Sequence, residues 1–231
     1  MNLAIVGYGK MGRLIDQLAR EYGFDVKLRL DIDNNANFEG LTKENFRGID
    51  AAVEFSTPAS APENIKRLAA LGVNSVIGTT GWFGEIERAR KAVERAGTGL
   101  VWSPNFSVGV SMFSQIVAEA ARLMARQPEY GAWAWEIHHA TKKDAPSGTL
   151  LALVERMKQS GYGKPIDASS SRAGAHPGTH EIGFDSAADT ITIRHTARSR
   201  EGFARGALRA ARWVAGKKGF FDFREIVNEL E

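Results

Sequence analysis

The chain opens on a short apolar run, Leu3-Ala-Ile-Val6, then glycines, then apolar residues at Met11, Leu14, Ile15 and Leu18. The run reads as a buried strand and the later spacing as one face of a helix. Gly23 predicts the end of that helix, and residues 26–30 a second strand. The alternation continues with strands at 51–55, 73–77 and 100–102, separated by helices at 62–71 and 84–96. Strands that alternate with helices predict a parallel sheet covered by helices.

Beyond residue 107 the pattern changes. A helix over 108–125 carries the stripe Val110, Phe113, Ile116, Val117, Ala120, Ala121 and Met124. Residues 133–139 read as a strand, with Trp133, Trp135, Ile137 and His139 on one face and Glu136 and His138 on the other. A helix follows over 150–157, then a glycine-, serine- and proline-rich stretch at 161–178 that reads as a mobile loop. Strands at 180–184 and 190–196 read as a hairpin, which with 133–139 predicts a mostly antiparallel sheet. Phe203, Ala207, Leu208, Ala211 and Val214 mark another helix, and 222–230 a short one returning to the first domain.

Gly7-Tyr8-Gly9-Lys10-Met11-Gly12 sits between the first strand and the first helix, the context that a dinucleotide-binding glycine turn requires. Such a turn brings backbone and helix N-terminus up to a pyrophosphate. Asp31 ends the second strand 19 residues after Gly12, placed to accept hydrogen bonds from ribose hydroxyls. Three polar clusters fall at further strand ends: Ser56-Thr57-Pro58, Gly78-Thr79-Thr80-Gly81 and Ser103-Pro104-Asn105-Phe106. Ligands of parallel sheets bind at those ends. The expected fold class is therefore α/β. A Rossmann-like parallel-sheet domain (residues 1–106 and 202–231) binds a dinucleotide, and an α+β domain with a mostly antiparallel sheet (107–201) binds substrate.

Composition narrows the partners. A chain of 231 residues suits one large domain or two small ones. Its net charge of +3 is dispersed, which argues against a nucleic-acid footprint. No stretch approaches the ~20 apolar residues of a membrane span, and the N-terminus lacks a signal-peptide pattern. Zero cysteines exclude disulfides and thiolate chemistry and fit a cytoplasmic protein.

The five histidines all lie at position 138 or later, so proton chemistry belongs to the second domain. The segment Glu136-Ile-His138-His139-Ala-Thr-Lys142-Lys-Asp144-Ala-Pro146-Ser-Gly148-Thr149 combines an acid, a cation and a helix start. Free N–H groups at that helix start would hold a carboxylate, and Lys142 would add a charge-assisted hydrogen bond. Only Glu136 and Asp144 are nearby carboxylates and no His-x-x-x-His lies on a helix, so no metal site is expected.

The glycine turn, Gly78-Thr-Thr-Gly81, Asn105-Phe-Ser-Val-Gly109, the His138 to Thr149 segment and His195-x-Ala-x-Ser-Arg200 occur together in family order. They resemble the dihydrodipicolinate reductases over nearly the whole chain. The resemblance implies NAD(P)H-dependent reduction of a cyclic dicarboxylate, with loss of water, in lysine and diaminopimelate synthesis. It implies His138 as general acid/base, Lys142 as proton donor and substrate anchor, and His139, Gly148 and Thr149 as carboxylate binders. Gly7 to Gly12, Asp31, Gly78 to Thr80 and Ser103 to Phe106 would hold the cofactor, and the family's usual assembly implies a homotetramer joined through the second domain's sheet. The glycine loop is one residue shorter than the common form. Ile32 follows Asp31 where many relatives carry a basic residue for a 2′-phosphate, so NADH is expected over NADPH. Two alternatives remain from the residues: another two-domain dehydrogenase of a small amino or keto acid, and a non-catalytic dinucleotide sensor.

Overall fold

The computed structural model describes residues 1–230, which divide into two compact units: residues 1–108 with 201–230, and Gly109–Arg200. The first contains β1 (Asn2–Val6), α1 (Lys10–Ala19), β2 (Asp25–Leu30), β3 (Ala51–Glu54), α2 (Ala61–Ala70), β4 (Asn74–Ile77), α3 (Ile86–Ala96) and β5 (Gly99–Trp102). The second contains most of α4 (Val108–Met124), then β6 (Gly131–His138), α5 (Gly148–Gln159), β7 (Ile166–Arg172), β8 (Thr179–Asp185) and β9 (Thr190–Thr196). The chain then returns to the first unit as α6 (Glu201–Val214), β10 (Gly219–Asp222) and α7 (Phe223–Ile226).

In the first unit six parallel strands run in the order β10-β5-β4-β3-β1-β2. Helices α2 and α3 pack on one face, α1 and α6 on the other. Covering both faces explains why β1, β3, β4 and β5 are almost wholly buried and mostly apolar. Strand order reverses between β1 and β3, the switch point at which such sheets bind ligands. Gly7 there has φ +93°, and a Cβ on it would come within 2.3 Å of the Phe55 carbonyl oxygen. A Cβ on Gly12 would come within 2.2 Å of the Gly7 carbonyl oxygen, so both glycines are needed for the turn to close.

In the second unit the order is β7-β6-β8-β9, antiparallel except for the parallel β6–β7 pair. Phe113, Val117 and Ala121 of α4 and Leu150, Leu153 and Met157 of α5 pack with Ala134, Ile182 and Phe184 into one core. On β6, Ala134 and Glu136 are buried, while Trp133, Trp135 and Ile137 alternate with them and are half-buried. Trp133 lies across Gly183, where a Cβ would overlap the indole at 2.1 Å.

Two strands depart from the sequence expectation. Residues 166–172, expected within a mobile loop, form the parallel edge strand β7, with α5 as the crossover from β6. Its Asp-Ala-Ser-Ser-Ser core is polar because an edge strand keeps much of its surface in water. Residues 219–222 form β10, which pairs with β5 and precedes the expected terminal helix.

Candidate active site

In the first unit the expected cofactor residues occupy neighbouring strand ends. Gly7 to Gly12 follow β1, Asp31 follows β2, Gly78 to Thr80 follow β4, and Ser103 to Phe106 follow β5. Helix α1 starts after Gly9 with no side-chain cap and no acidic residue in its first turn. A Cβ built on Gly9 meets nothing within 4 Å, so the backbone there is open to an approaching group. An uncapped helix start beside an open glycine is an anion cradle, and the residues fit the pyrophosphate of a nicotinamide dinucleotide.

Not every expected side chain is offered to a ligand. The Tyr8 hydroxyl hydrogen-bonds to the Asp16 carboxylate, which also takes Arg29 Nε at 2.6 Å and Nη2 at 2.8 Å. Arg29 is thereby engaged, and the Asp31 and Ile32 side chains stand exposed. Phe106 is buried and packs on Phe223 at 4.8 Å between ring centroids, so only its backbone remains for a cofactor. Ser103 Oγ donates to the Asn105 carbonyl (2.8 Å) and accepts from Asn105 N (3.1 Å), which holds that turn rigid.

In the second unit β6 delivers Glu136 and His138 to the same side of the sheet. The Glu136 carboxylate is fully buried. Its Oε1 accepts from Arg172 Nη2 (2.8 Å) and Ser147 N (3.2 Å), and its Oε2 meets His138 Nδ1 in a short hydrogen bond. Burial pushes Glu136 up, but the hydrogen bonds from Arg172 and His138, with the Ser170 hydroxyl nearby, outweigh it and lower the group to about 2. An ionised Glu136 on Nδ1 leaves Nε2 as the reactive nitrogen of His138. Beside that nitrogen is Gly178, at φ +141°, where a Cβ would come within 2.8 Å of Nε2. Burial lowers the His138 pKa, Glu136 opposes this, and the Lys142 and Arg172 cations lower it further.

The corner before α5 is bound to the same network. Ser147 caps the helix by accepting from Leu150 N at 3.2 Å, and Arg172 Nη2 donates to the Asp144 carbonyl at 2.5 Å. Lys142 Nζ donates to both Asp144 carboxylate oxygens, at 2.7 and 2.9 Å. Lys142 holds Asp144 below the usual carboxylate range, and the Gly148 N–H adds to this. The Asp144 carboxylate is thus held by Lys142 close to the helix start. A Cβ on Gly148 would meet nothing within 4 Å, so the helix start is open. His139 hydrogen-bonds to Thr141 (2.8 Å) and takes no part in the Glu136 network.

His180 pairs with Glu136 across the sheet on one side and with His195 on the other. Its Nε2 lies 3.1 Å from Ser147 Oγ, and its ring stands edge-on to His138 at 5.1 Å. Burial first, and His138 second, lower its pKa to about 4, so it is a neutral imidazole. Ligand atoms of Glu136, His138 and His180 lie within 4.8 Å of one another, a spacing a metal ion could use. Both Glu136 oxygens are already satisfied by Arg172, Ser147 and His138, which favours a hydrogen-bonded proton network. Arg172, His180, Ser147 and Gly178 are the members that sequence reading did not single out as site residues. Glu136, two residues before His138 on a strand, and Ser147, in the expected helix start, carried a usable signal.

A glycine-turn parallel-sheet unit, chained to a unit with an imidazole–carboxylate–guanidinium network beside an anion corner, defines a nicotinamide-dependent oxidoreductase. Models of the dihydrodipicolinate reductase N-terminus and C-terminus match residues 1–106 and 109–227. The chain belongs to the dihydrodipicolinate reductase family. It is 32% identical to the 4-hydroxy-tetrahydrodipicolinate reductase of Christiangramia forsetii over 241 residues, covering 100% of this chain and 99% of that one. The Archaeoglobus fulgidus protein of the same description is 34% identical over 261 residues, covering 99% and 100%. A solved dipicolinate-bound dihydrodipicolinate reductase from Paenisporosarcina sp. TG-14 shares the fold, with a TM-score of 0.80, 22% identity and coverage of 100% and 99%.

Proposed function

We propose that the chain reduces 4-hydroxy-tetrahydrodipicolinate to tetrahydrodipicolinate, with the first unit binding the dinucleotide and the second the substrate. The substrate loses its hydroxyl as water and gains a hydride at one ring carbon and a proton at its neighbour. The nicotinamide, when bound, supplies the hydride. Backbone N–H groups of Gly9 to Gly12 meet the pyrophosphate, Asp31 the ribose, and the Gly78–Thr80 and Ser103–Phe106 turns the nicotinamide half.

In the second unit the substrate carboxylate displaces Asp144 from Lys142 Nζ and takes the N–H groups of Gly148 and Thr149. His139 steadies the other carboxylate. His138 delivers the ring proton from Nε2 while Glu136 holds Nδ1. A dianion beside His138 raises its pKa, so the acid form arises as substrate binds. Lys142 anchors the substrate and donates a proton to the network. The observation that carries this reading is the buried Glu136 carboxylate, shared between His138 and the anion corner through Arg172 and Ser147.

Replacing His138 with Gln tests it. Nicotinamide oxidation with freshly generated substrate should fall in kcat by about 10²- to 10⁴-fold with NADH affinity unchanged. Unaltered turnover would remove His138 from its role. Exposed Asp31 and Ile32, with Arg29 held by Asp16, support NADH over NADPH. A homo-oligomer, a tetramer in this reading, joins through the sheet face that carries half-buried Trp133, Trp135 and Ile137. Sedimentation of wild type and Trp135→Lys would measure it, and a monomeric wild type would refute it.

A further inference from the structure

The first unit holds a second buried carboxyl, one that the reduction does not use. Glu54 ends β3 with 0% exposure. It lies in register between Val6, which precedes the glycine turn, and Ile77, which precedes the Gly78–Thr80 turn. Its two oxygens are treated unequally. Oε1 accepts from Ser56 N at 3.2 Å, Asn64 Nδ2 at 3.1 Å and the Ser56 hydroxyl. Oε2 has no hydrogen-bond partner among the described residues, and neither does the buried Thr79 Oγ1.

An ionised carboxylate would carry charge on both oxygens and leave one bare in a dry site, which is costly. The groups facing Glu54 are neutral: Ser56 from the loop after β3, Asn64 from α2 and Thr79 from the turn after β4. A carboxylic acid resolves the asymmetry. Oε1 is then the carbonyl oxygen that takes the donors, and Oε2 carries a proton that needs an acceptor. We propose that Glu54 is a neutral acid whose Oε2–H bonds to Thr79 Oγ1 and thereby holds the Gly78–Thr80 turn where it receives the nicotinamide nucleotide. Burial pushes the Glu54 carboxyl above the usual carboxylate range, against the Ser56 and Asn64 hydrogen bonds and the nearby Thr79 hydroxyl. Neutrality also spares the pyrophosphate a like charge beside the glycine turn. Glu54 is thus a positioning residue, and the inference rests on assigning the Gly78–Thr80 turn to the cofactor.

Linkage makes the proton on Glu54 and NADH binding reciprocal. The test uses the full chain as wild type, Glu54→Gln and Thr79→Val. Infrared spectra at neutral pH should show a protonated-carboxyl carbonyl band in wild type that Glu54→Gln removes. NADH titrations by nicotinamide fluorescence should weaken about tenfold in wild type through a one-proton alkaline step. Glu54→Gln should bind within a few-fold of wild type at neutral pH and lack that step, and Thr79→Val should bind weakly throughout. An infrared spectrum without the Glu54 band, or an alkaline step that persists in Glu54→Gln, overturns the proposal. A Glu54 band with NADH binding indifferent to both variants also overturns it, by removing the cofactor assignment of the turn and leaving the acid intact. Should Glu54→Gln fail to fold, wild type still decides: band loss and affinity loss must share one midpoint, and separate midpoints refute the coupling.

Discussion

Glu54 and Glu136 are both 0% exposed, and both lie at or near the C-terminal end of an interior strand. Their charges are opposite in logic. Glu54 is raised by burial with only hydroxyl and amide donors to oppose it, whereas Glu136 is held at about 2 by Arg172, Ser170 and His138. Glu136 also lies under a thinner cover, beside the half-buried Ser170, Ser171 and Arg172, so its burial costs less. Loss of water contact alone therefore does not decide whether a carboxyl is charged; the nearest cation does. The first unit uses its carboxyl as a neutral brace, and the second uses its carboxylate to orient an imidazole.

The largest test of that contrast is the same substitution in both places. Glu136→Gln leaves Arg172 without its counter-charge and should cost about 3–5 kcal/mol in chemical denaturation. It should also lower kcat by about 10²-fold, because His138 loses its orienting group. Glu54→Gln exchanges one neutral group for another and should cost no more than about 1 kcal/mol. Equal losses would erase the distinction.

The next effect is on stability against pH, where the two units have opposite signs. Glu136 is depressed, so its contribution is full above about 4.5 and is lost as pH falls toward about 2. His180 acts in the same direction: its contribution is lost as pH falls from about 6.5 toward about 4, and is at most about 3 kcal/mol by linkage. Glu54 is raised, so its contribution is full below its unfolded pKa and is lost as pH rises through its folded pKa. Urea midpoints across pH for wild type, His180→Gln and both glutamine variants separate the signs. An acid-side loss unchanged in Glu136→Gln would contradict the assignment.

A smaller effect belongs to Gly178. A methyl there meets His138 Nε2 at 2.8 Å, and φ +141° adds backbone strain. Gly178→Ala should lower kcat about tenfold and leave NADH affinity unchanged, confining the damage to the second unit. A change in NADH affinity instead would break that separation. The smallest effect concerns exposed Asp31, the carboxylate of this chain assigned to solvent and ribose. The NADH to NADPH ratio of kcat/KM should be roughly tenfold, and Asp31→Ser should narrow it.

What was legible in the chain itself is what periodicity and local spacing encode. The run Leu3–Val6 before Gly7, and the strand–helix alternation after it, specify a parallel sheet because each strand must be buried on both faces. The corner Pro146–Thr149 announces a helix start, and Ser147 does cap α5. The pair Glu136 and His138 shares a face by strand alternation alone. The strand Ile166–Arg172 was illegible because a polar edge strand resembles a loop, and with it went Arg172. Its guanidinium reaches Glu136 only through the β6–β7 register, 36 residues apart in sequence. His180 and Gly178 join the site through the β6–β8 pairing and the turn before β8, and Glu54 acquires Asn64 and Thr79 only when α2 and the β4 turn close over it. Residue types and local geometry follow from the sequence because they depend on neighbours a few positions away. The charge state of each buried carboxyl was decided by tertiary structure, because it depends on which distant donor or cation folding brings within hydrogen-bond reach.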